Sequence, residues 1–215
     1  MNRDKSETVC RAGELANPMS VVGVLCPLAP SDECLLARFA DGERAVLEEL
    51  FGRYRAIAYR VAHRLLGNEA DALDAVQDGF IKALTRLNTF QGRSSFKTWL
   101  LRVVSNAALD LGRQRGRRET ASLDAPDPGQ AENVQPLAFT NPAQGLERED
   151  LRKIIQEALG VLSEAQRQTF VLHADGELSY KEVAETLGIS IGTVMSRLYY
   201  ARQKLRQHLG QRIDL

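Results

Sequence analysis

The run from Ser179 to Arg206, SYKEVAETLGISIGTVMSRLYYARQKLR, leaves a chain few ways to fold. Ser179 followed by Glu182 is a capping-box start, and Val183, Ala184 and Leu187 supply the apolar side of a short helix. Gly188 can take positive φ at the turn that follows, and Ser190 is placed to cap the next helix. In that second helix Val194, Leu198, Ala201 and Leu205 fall at i, i+4, i+7 and i+11, one buried stripe. Thr193, Ser196, Arg197 and Tyr200 are left outward near its start, with Arg202, Lys204 and Arg206 further along. Hydrogen-bonding groups near the N-terminal end of a helix with cations behind them suit a DNA major groove. The expectation is a helix-turn-helix that meets duplex DNA through Ser190, Thr193, Ser196, Arg197, Tyr200, Arg202, Lys204 and Arg206. Arg197 can grip a guanine edge with two hydrogen bonds, and Ser196 and Thr193 can reach bases or phosphates. Arg202, Lys204 and Arg206 suit phosphate, which gives affinity without sequence information. Tyr199 and Tyr200 fit either packing or backbone contact. A solvated helix on a small bundle is the competing reading of this window.

Whole-chain charge hides the pattern. The 215 residues carry 28 Lys or Arg and 28 Asp or Glu, a net of zero, which taken alone argues against a nucleic-acid partner. Residues 93–118, however, hold seven Lys or Arg against the single Asp110, a net of +6, and residues 190–215 reach +4. Residues 119–145 and 146–189 each stand at −4. Two basic patches separated by acidic segments create local positive fields within a neutral total.

Cys10, Cys26 and Cys34 are an odd set without close spacing, and His63, His173 and His208 are dispersed, so neither a zinc site nor a disulfide framework follows. A reduced, cytoplasmic chain is expected. No apolar run approaches the ~18–20 residues of a membrane helix. Residues 1–30 read as an irregular or disordered extension, within which Met19 is a candidate translation start.

The expected fold class is all-α, two helical domains joined by an extended linker. Over 31–118 the periodicity is helical almost throughout: Leu35, Leu36 and Phe39, then Val46, Leu47, Leu50, Phe51, Tyr54, Ile57, Ala58, Val61 and Leu65. Gly67-Asn68 ends that helix. A third runs from about Glu69 to Leu87 with Leu73, Val76, Phe80, Leu84 and Leu87 on its apolar face. Asn88 to Ser95 is a loop by composition, and a fourth helix spans Phe96 to Arg113 with Trp99, Leu100, Val103, Val104, Ala107 and Leu111 inward. Pro126, Pro128, Pro136 and Pro142 make residues 119–145 an acidic tether. The second domain covers 146–215, and Ser163 with Gln166 opens a helix within it.

Four stretches carry a resemblance: DAVQDGF at 74–80, FQGRSSFKTWL at 90–100 continuing into NAALD at 106–110 and the Arg113–Arg118 cluster, Leu159 to Leu172, and GTVMSRLYYAR at 192–202. Together and in this order they resemble the bacterial RNA polymerase sigma factors of the extracytoplasmic-function (ECF) type, the minimal kind with two helical domains. The resemblance covers 32–118 and 146–208 and leaves the first thirty residues outside. It implies a region 2 domain at 31–118, a region 4 domain at 146–215, and an alternative sigma factor that binds core RNA polymerase and promoter DNA. The helix-turn-helix would take the upstream, minus-thirty-five element, and the first domain would open the minus-ten element. The linker would thread through the polymerase near the active site and RNA exit path. An anti-sigma factor is a further expected partner. The family needs no cofactor and catalyses nothing itself; binding energy for separated strands drives melting.

Single residues follow. Asp74, Gln77, Asp78 and Lys82 lie off the apolar stripe of the third helix as an exposed ridge. From the residues alone a solvated face explains them; the resemblance makes them the polymerase-docking ridge. Gly79 stands where relatives often carry a bulkier residue, costs the helix ~0.5–1 kcal/mol relative to Ala, and is expected to let the partner approach closely. Aromatic residues beside cations suit single-stranded DNA, whose bases stack while its phosphates attract charge. Gln91, Gly92, Arg93, Ser94 and Lys97 are therefore expected against the melted strand, and Asn106, Arg113, Arg115, Arg117 and Arg118 along the backbone upstream. Trp99 reads as core, and Arg102 as either part of that surface or solvated. Two rivals remain at this stage. One is a polymerase-independent helix-turn-helix regulator with a dimerising or ligand-sensing N-terminal domain and a palindromic site. The other is a thiol redox enzyme using Cys10, Cys26 or Cys34.

Overall fold

The computed structural model describes residues 30–122 and 142–213, with side chains described over 30–118 and 151–210. Every regular element among them is helical: α1 Asp32–Ala40, α2 Val46–Leu66, α3 Glu69–Arg86, α4 Phe96–Ser122, α5 Pro142–Gly160, α6 Glu164–Ala174, α7 Tyr180–Leu187 and α8 Ile191–Ile213, with a short 3-10 turn at Leu87–Thr89. The expected extension over 1–30 and most of the expected tether lie outside the described residues. At its edges α4 continues to Ser122 and α5 begins at Pro142. Pro142, counted above against regular structure, opens a helix, where its missing N–H removes no intrahelical bond.

Local signals placed the helix ends. α2 stops at Gly67, whose φ is 86° and whose N–H bonds to His63 O at 2.8 Å. Asn68 then caps α3, its side chain accepting from Asp71 N at 2.7 Å. Ser163 with Gln166 and Ser179 with Glu182 both form complete capping boxes on α6 and α7. Gly188 sits at φ 65° in the turn, and Ser190 Oγ accepts from Thr193 N at 3.1 Å to start α8.

The face of α3 differs from its periodicity. Leu73, Ile81 and Leu84 are 49%, 52% and 43% exposed, while Ala72, Ala75, Val76, Gly79, Ala83 and Leu87 are buried. Counting bulky side chains misplaced the stripe; small residues turn inward because they let α3 lie close to α4. A Cβ on Gly79 would stand 3.0 Å from Val104 Cα and 3.0 Å from its Cγ2. Gly79 thus serves the packing of two helices of this chain, correcting the expectation that it receives an outside partner. On α4 burial is broader than one stripe: Thr98, Leu100, Leu101, Val104, Ser105, Ala107, Ala108 and Leu109 are all buried. α4 packs against α2 and α3 and also against α7.

The described residues from Asp32 onward form one compact unit, in which the N-terminal helices touch the C-terminal ones. Polar contacts lace this seam. Glu177 takes Arg60 at 2.9 Å and Lys97 at 3.6 Å, Asp175 takes Arg64 at 3.4 Å, and Glu164 takes Arg113 at 2.7 Å. Glu177 is the one non-glycine residue among those described with positive φ, 55°, a backbone state that asks for compensation elsewhere.

Glu182 joins the capping box to the seam. Its Oε2 accepts from Ser179 N at 2.9 Å and Ser179 Oγ at 2.7 Å, and its Oε1 accepts from Thr98 Oγ1 at 3.1 Å. The Ser179 hydroxyl foremost, then the Ser179 N–H, Thr98 and nearby Lys97, hold this carboxyl below its ordinary 4.5 although burial works the other way. A carboxyl depressed by folding stabilises the fold above its unfolded pKa, and that stability is lost as pH falls through the folded value. Ser179→Ala should cost ~1 kcal/mol at pH 7 and flatten the stability loss below pH 4.5. Urea titrations at several pH values would check it; an unchanged acid limb would show that Glu182 is held by other groups.

Candidate nucleic-acid interface

Three surfaces hold the residues singled out in the sequence. On α8, Val194, Leu198 and Ala201 are buried against the rest of the fold. Ser190, Ser196, Tyr200, Arg202, Lys204 and Arg206 are exposed, while Thr193 and Arg197 are half-buried at the flank. The hydroxyls of Ser190 and Thr193 are 2.9 Å apart, and Ser196 Oγ donates to Thr193 O at 3.1 Å. Arg202 donates from both terminal nitrogens to Tyr180 Oη at 3.4 Å, which draws it toward α7. The sequence reading passed over Met195 and left Tyr199 undecided, yet they are 54% and 66% exposed. The signal was available, since each follows a stripe residue and is turned ~100° from it.

The second surface is the loop before α4. Gln91, Gly92 and Arg93 are exposed, Ser94 is half-buried, and Gly92 has φ 66°. Beneath it Phe90 lies 5.3 Å from Trp99 and 6.0 Å from Phe96, with Phe96 and Trp99 5.8 Å apart. Trp99 is half-buried in that cluster. A cleft of about 350 Å³ opens between the loop and α1, lined by Glu33, Leu36 and Ala37 on one side and Phe90, Gly92 and Ser94 on the other. The contribution of α1 was not foreseen. Its anchor is Asp32, whose carboxylate accepts from Tyr54 Oη and, at 3.2 Å, from Arg53. Burial, then this hydrogen bond, push the Tyr54 phenol well above its ordinary value.

Along α4 the predicted cations divide. Lys97 and Arg113 are held by Glu177 and Glu164 from the other half, and Arg115 by Asp71 at 2.6 Å. The Arg113 hydrogen bond holds the Glu164 carboxyl below its ordinary value. Asn106, Arg117 and Arg118 are exposed.

The third surface is α3. Asp74, Gln77 and Asp78 are exposed and Lys82 is half-buried, with Lys82 Nζ 2.6 Å from Asp78. The ridge is bordered by the exposed Leu73, Ile81 and Leu84, and Leu73 lines a groove of about 740 Å³ with Gly52, Arg55, Ala56 and Tyr59 of α2. Among the described residues no three His, Cys, Asp or Glu side chains gather as a metal site, and no helix is long and apolar enough to cross a membrane.

Similarity to known proteins points the same way. The family description Sigma-70 region 2 matches residues 50–118, and Sigma-70, region 4 matches residues 152–205. The chain is 35% identical over 187 residues to the ECF RNA polymerase sigma factor SigE of Mycolicibacterium smegmatis, covering 85% of this chain and 70% of that protein. It is 32% identical over 177 residues to the ECF RNA polymerase sigma-E factor of Escherichia coli K12, covering 81% and 92%. Among solved structures, CnrH in complex with the cytosolic domain of CnrY superposes with a TM-score of 0.63 at 28% identity, covering 84% of this chain and 97% of that one. The sigma factor RpoE in complex with the anti-sigma factor NepR from Bartonella quintana gives 0.57 at 26%, covering 76% and 98%.

Proposed function

This chain belongs to the ECF sigma factors, and from that premise we propose how its three surfaces share the start of transcription. It is an alternative sigma factor that binds RNA polymerase, and its family is not an enzyme class. The observation that carries the reading is the presence, in one chain and in order, of a region 2 domain with a cationic α4 and a region 4 helix-turn-helix with an outward α8.

The α3 ridge of Asp74, Gln77, Asp78 and Lys82 docks on core polymerase, and the exposed Leu73, Ile81 and Leu84 add apolar area around those charges. Ser196, Arg197 and Tyr200 enter the major groove of the upstream element, and Arg202, Lys204 and Arg206 take phosphates. The cleft between the loop and α1 receives an unpaired base of the minus-ten element, with Gln91, Arg93, Ser94 and Lys97 against the melted strand. Asn106, Arg113, Arg115, Arg117 and Arg118 follow the backbone upstream. Two elements named for positions about 25 base pairs apart lie ~85 Å apart along the duplex, so the two halves, in contact here, separate on the promoter. Apart from the half-buried Arg64–Asp175 pair, their ion pairs have at least one exposed partner and are of the kind worth ~0–1 kcal/mol each, and DNA phosphates replace the carboxylates on Lys97 and Arg113. The chain supplies no catalysis of its own and works in the cytoplasm beside the soluble polymerase. Both solved relatives are captured with another protein, an anti-sigma factor in the Bartonella quintana complex, and a partner of that kind is proposed here too.

Reconstitution tests this. The chain should co-elute with bacterial core polymerase and support transcription from the promoter of its own gene. Arg197→Ala should leave co-elution intact while lowering discrimination at one upstream-element base by ~1–3 kcal/mol. Co-elution lost in that variant would show that α8 is misassigned, and absence of co-elution in the parent chain would overturn the reading.

A further inference from the structure

Ile191, Met195 and Tyr199 recur every fourth residue along α8 and are 46%, 54% and 66% exposed, an apolar row on the open side of the helix. Met195 and Tyr199 directly precede Ser196 and Tyr200 in the chain, so the row borders the polar row proposed above to enter the groove. It spans ~12 Å at ~1.5 Å per residue, the length of three to four base-pair steps at ~3.4 Å. The Tyr199 ring is steadied by Tyr200, with centroids 5.4 Å apart and planes at 79°. An exposed apolar row on a free protein calls for an occupant. Here the same helix continues into Arg202, Lys204 and Arg206, and that charge favours duplex DNA as the occupant. The major groove offers one apolar group at base edges, the 5-methyl of thymine.

Resting on the sigma-factor reading, we infer that Met195 and Tyr199 determine specificity by packing against thymine 5-methyl groups of the upstream element. Neither side chain is charged or has the fork that grips guanine with two hydrogen bonds. While the Tyr199 hydroxyl can reach a phosphate, the Met195 side chain and the Tyr199 ring discriminate by methyl packing where Arg197 discriminates by hydrogen bonding. The upstream element of this chain therefore contains at least one thymine, on either strand, facing the row.

The test uses the holoenzyme reconstituted from full-length chain and core polymerase. A duplex pool randomised in the upstream region is selected on it, and each thymine of the recovered element is replaced by uracil, which removes only the methyl. At a facing position wild-type affinity should fall about fourfold, the equivalent of ~0.8 kcal/mol for one buried methyl group. Met195→Ala should bring the thymine-to-uracil ratio at one such position to about 1, and Met195→Leu should retain it. An element without thymine, wild-type indifference to uracil everywhere, or full methyl sensitivity in both Met195→Ala and Tyr199→Ala would overturn the inference, and would assign the row to a protein partner. Failure of the parent chain to co-elute with core polymerase would overturn the sigma reading itself, which these outcomes leave standing.

Discussion

Asp78→Arg is expected to weaken association with core RNA polymerase roughly 30-fold or more, a loss of ~2 kcal/mol. Asp78 is exposed on the ridge of α3 and pairs with Lys82 one turn on, at 2.6 Å. Replacing it with Arg sets two cations at i and i+4, which costs the free helix only a few tenths of a kcal/mol, so the chain still folds. Docking is affected far more. A partner surface complementary to a carboxylate set among Leu73, Ile81 and Leu84 meets a cation instead, and like-charge juxtaposition across an interface costs several kcal/mol. Fluorescence titration of labelled chain with core polymerase would measure the loss, beside a thermal melt to confirm folding. An unchanged dissociation constant would show the ridge to be an ordinary solvated face.

The largest effect on the fold is expected at a residue with no side chain. Gly79→Val should destabilise the chain by ~3 kcal/mol, at the upper end of the cost of overpacking a core. The first added carbon would meet the Val104 backbone at 3.0 Å, and backbone in the middle of α4 cannot swing aside. Gly79→Ala adds the same carbon but gains ~0.5–1 kcal/mol of helix propensity, so a net loss of ~1 kcal/mol is expected. Val104→Ala should relieve only part of the defect in Gly79→Val, because it removes the clash with the Val104 methyl and leaves the clash with the backbone. Urea unfolding of the parent, both Gly79 variants and the double variant would decide it, and full stability of Gly79→Val would mean that α3 and α4 can move apart freely.

Much of the architecture was legible because its determinants are local. The capping boxes at Ser163 and Ser179, the break at Gly67-Asn68 and the stripe of Val194, Leu198 and Ala201 each depend on residues within a turn or two. The inward face of α3 was not legible, since periodicity weights large side chains and the packing of α3 on α4 selects Ala72, Ala75, Gly79 and Ala83. On α8 the polar candidates were readable, and so was the outward position of Met195 and Tyr199, each one residue past the buried stripe, although apolar character argues for the inside. The cleft beside the loop draws Glu33, Leu36 and Ala37 from a helix more than fifty residues away, a proximity created only by tertiary structure. The same holds for the carboxylates on Lys97 and Arg113, which come from 80 and 51 residues along the chain.

Those carboxylates bear on how steeply DNA binding by the proposed surface would depend on salt. A cation that faces water gathers small anions around it and sheds them when it meets a phosphate, while the phosphate sheds its own condensed counterions. Lys97, paired with Glu177, and Arg113, paired with Glu164, already have an anion supplied by the chain. When DNA displaces that anion the exchange is one bound charge for another, and it frees fewer ions than a count of arginines and lysines implies. The protein thus carries part of its own salt, fixed in sequence and placed on the surface proposed above to meet the nucleic acid.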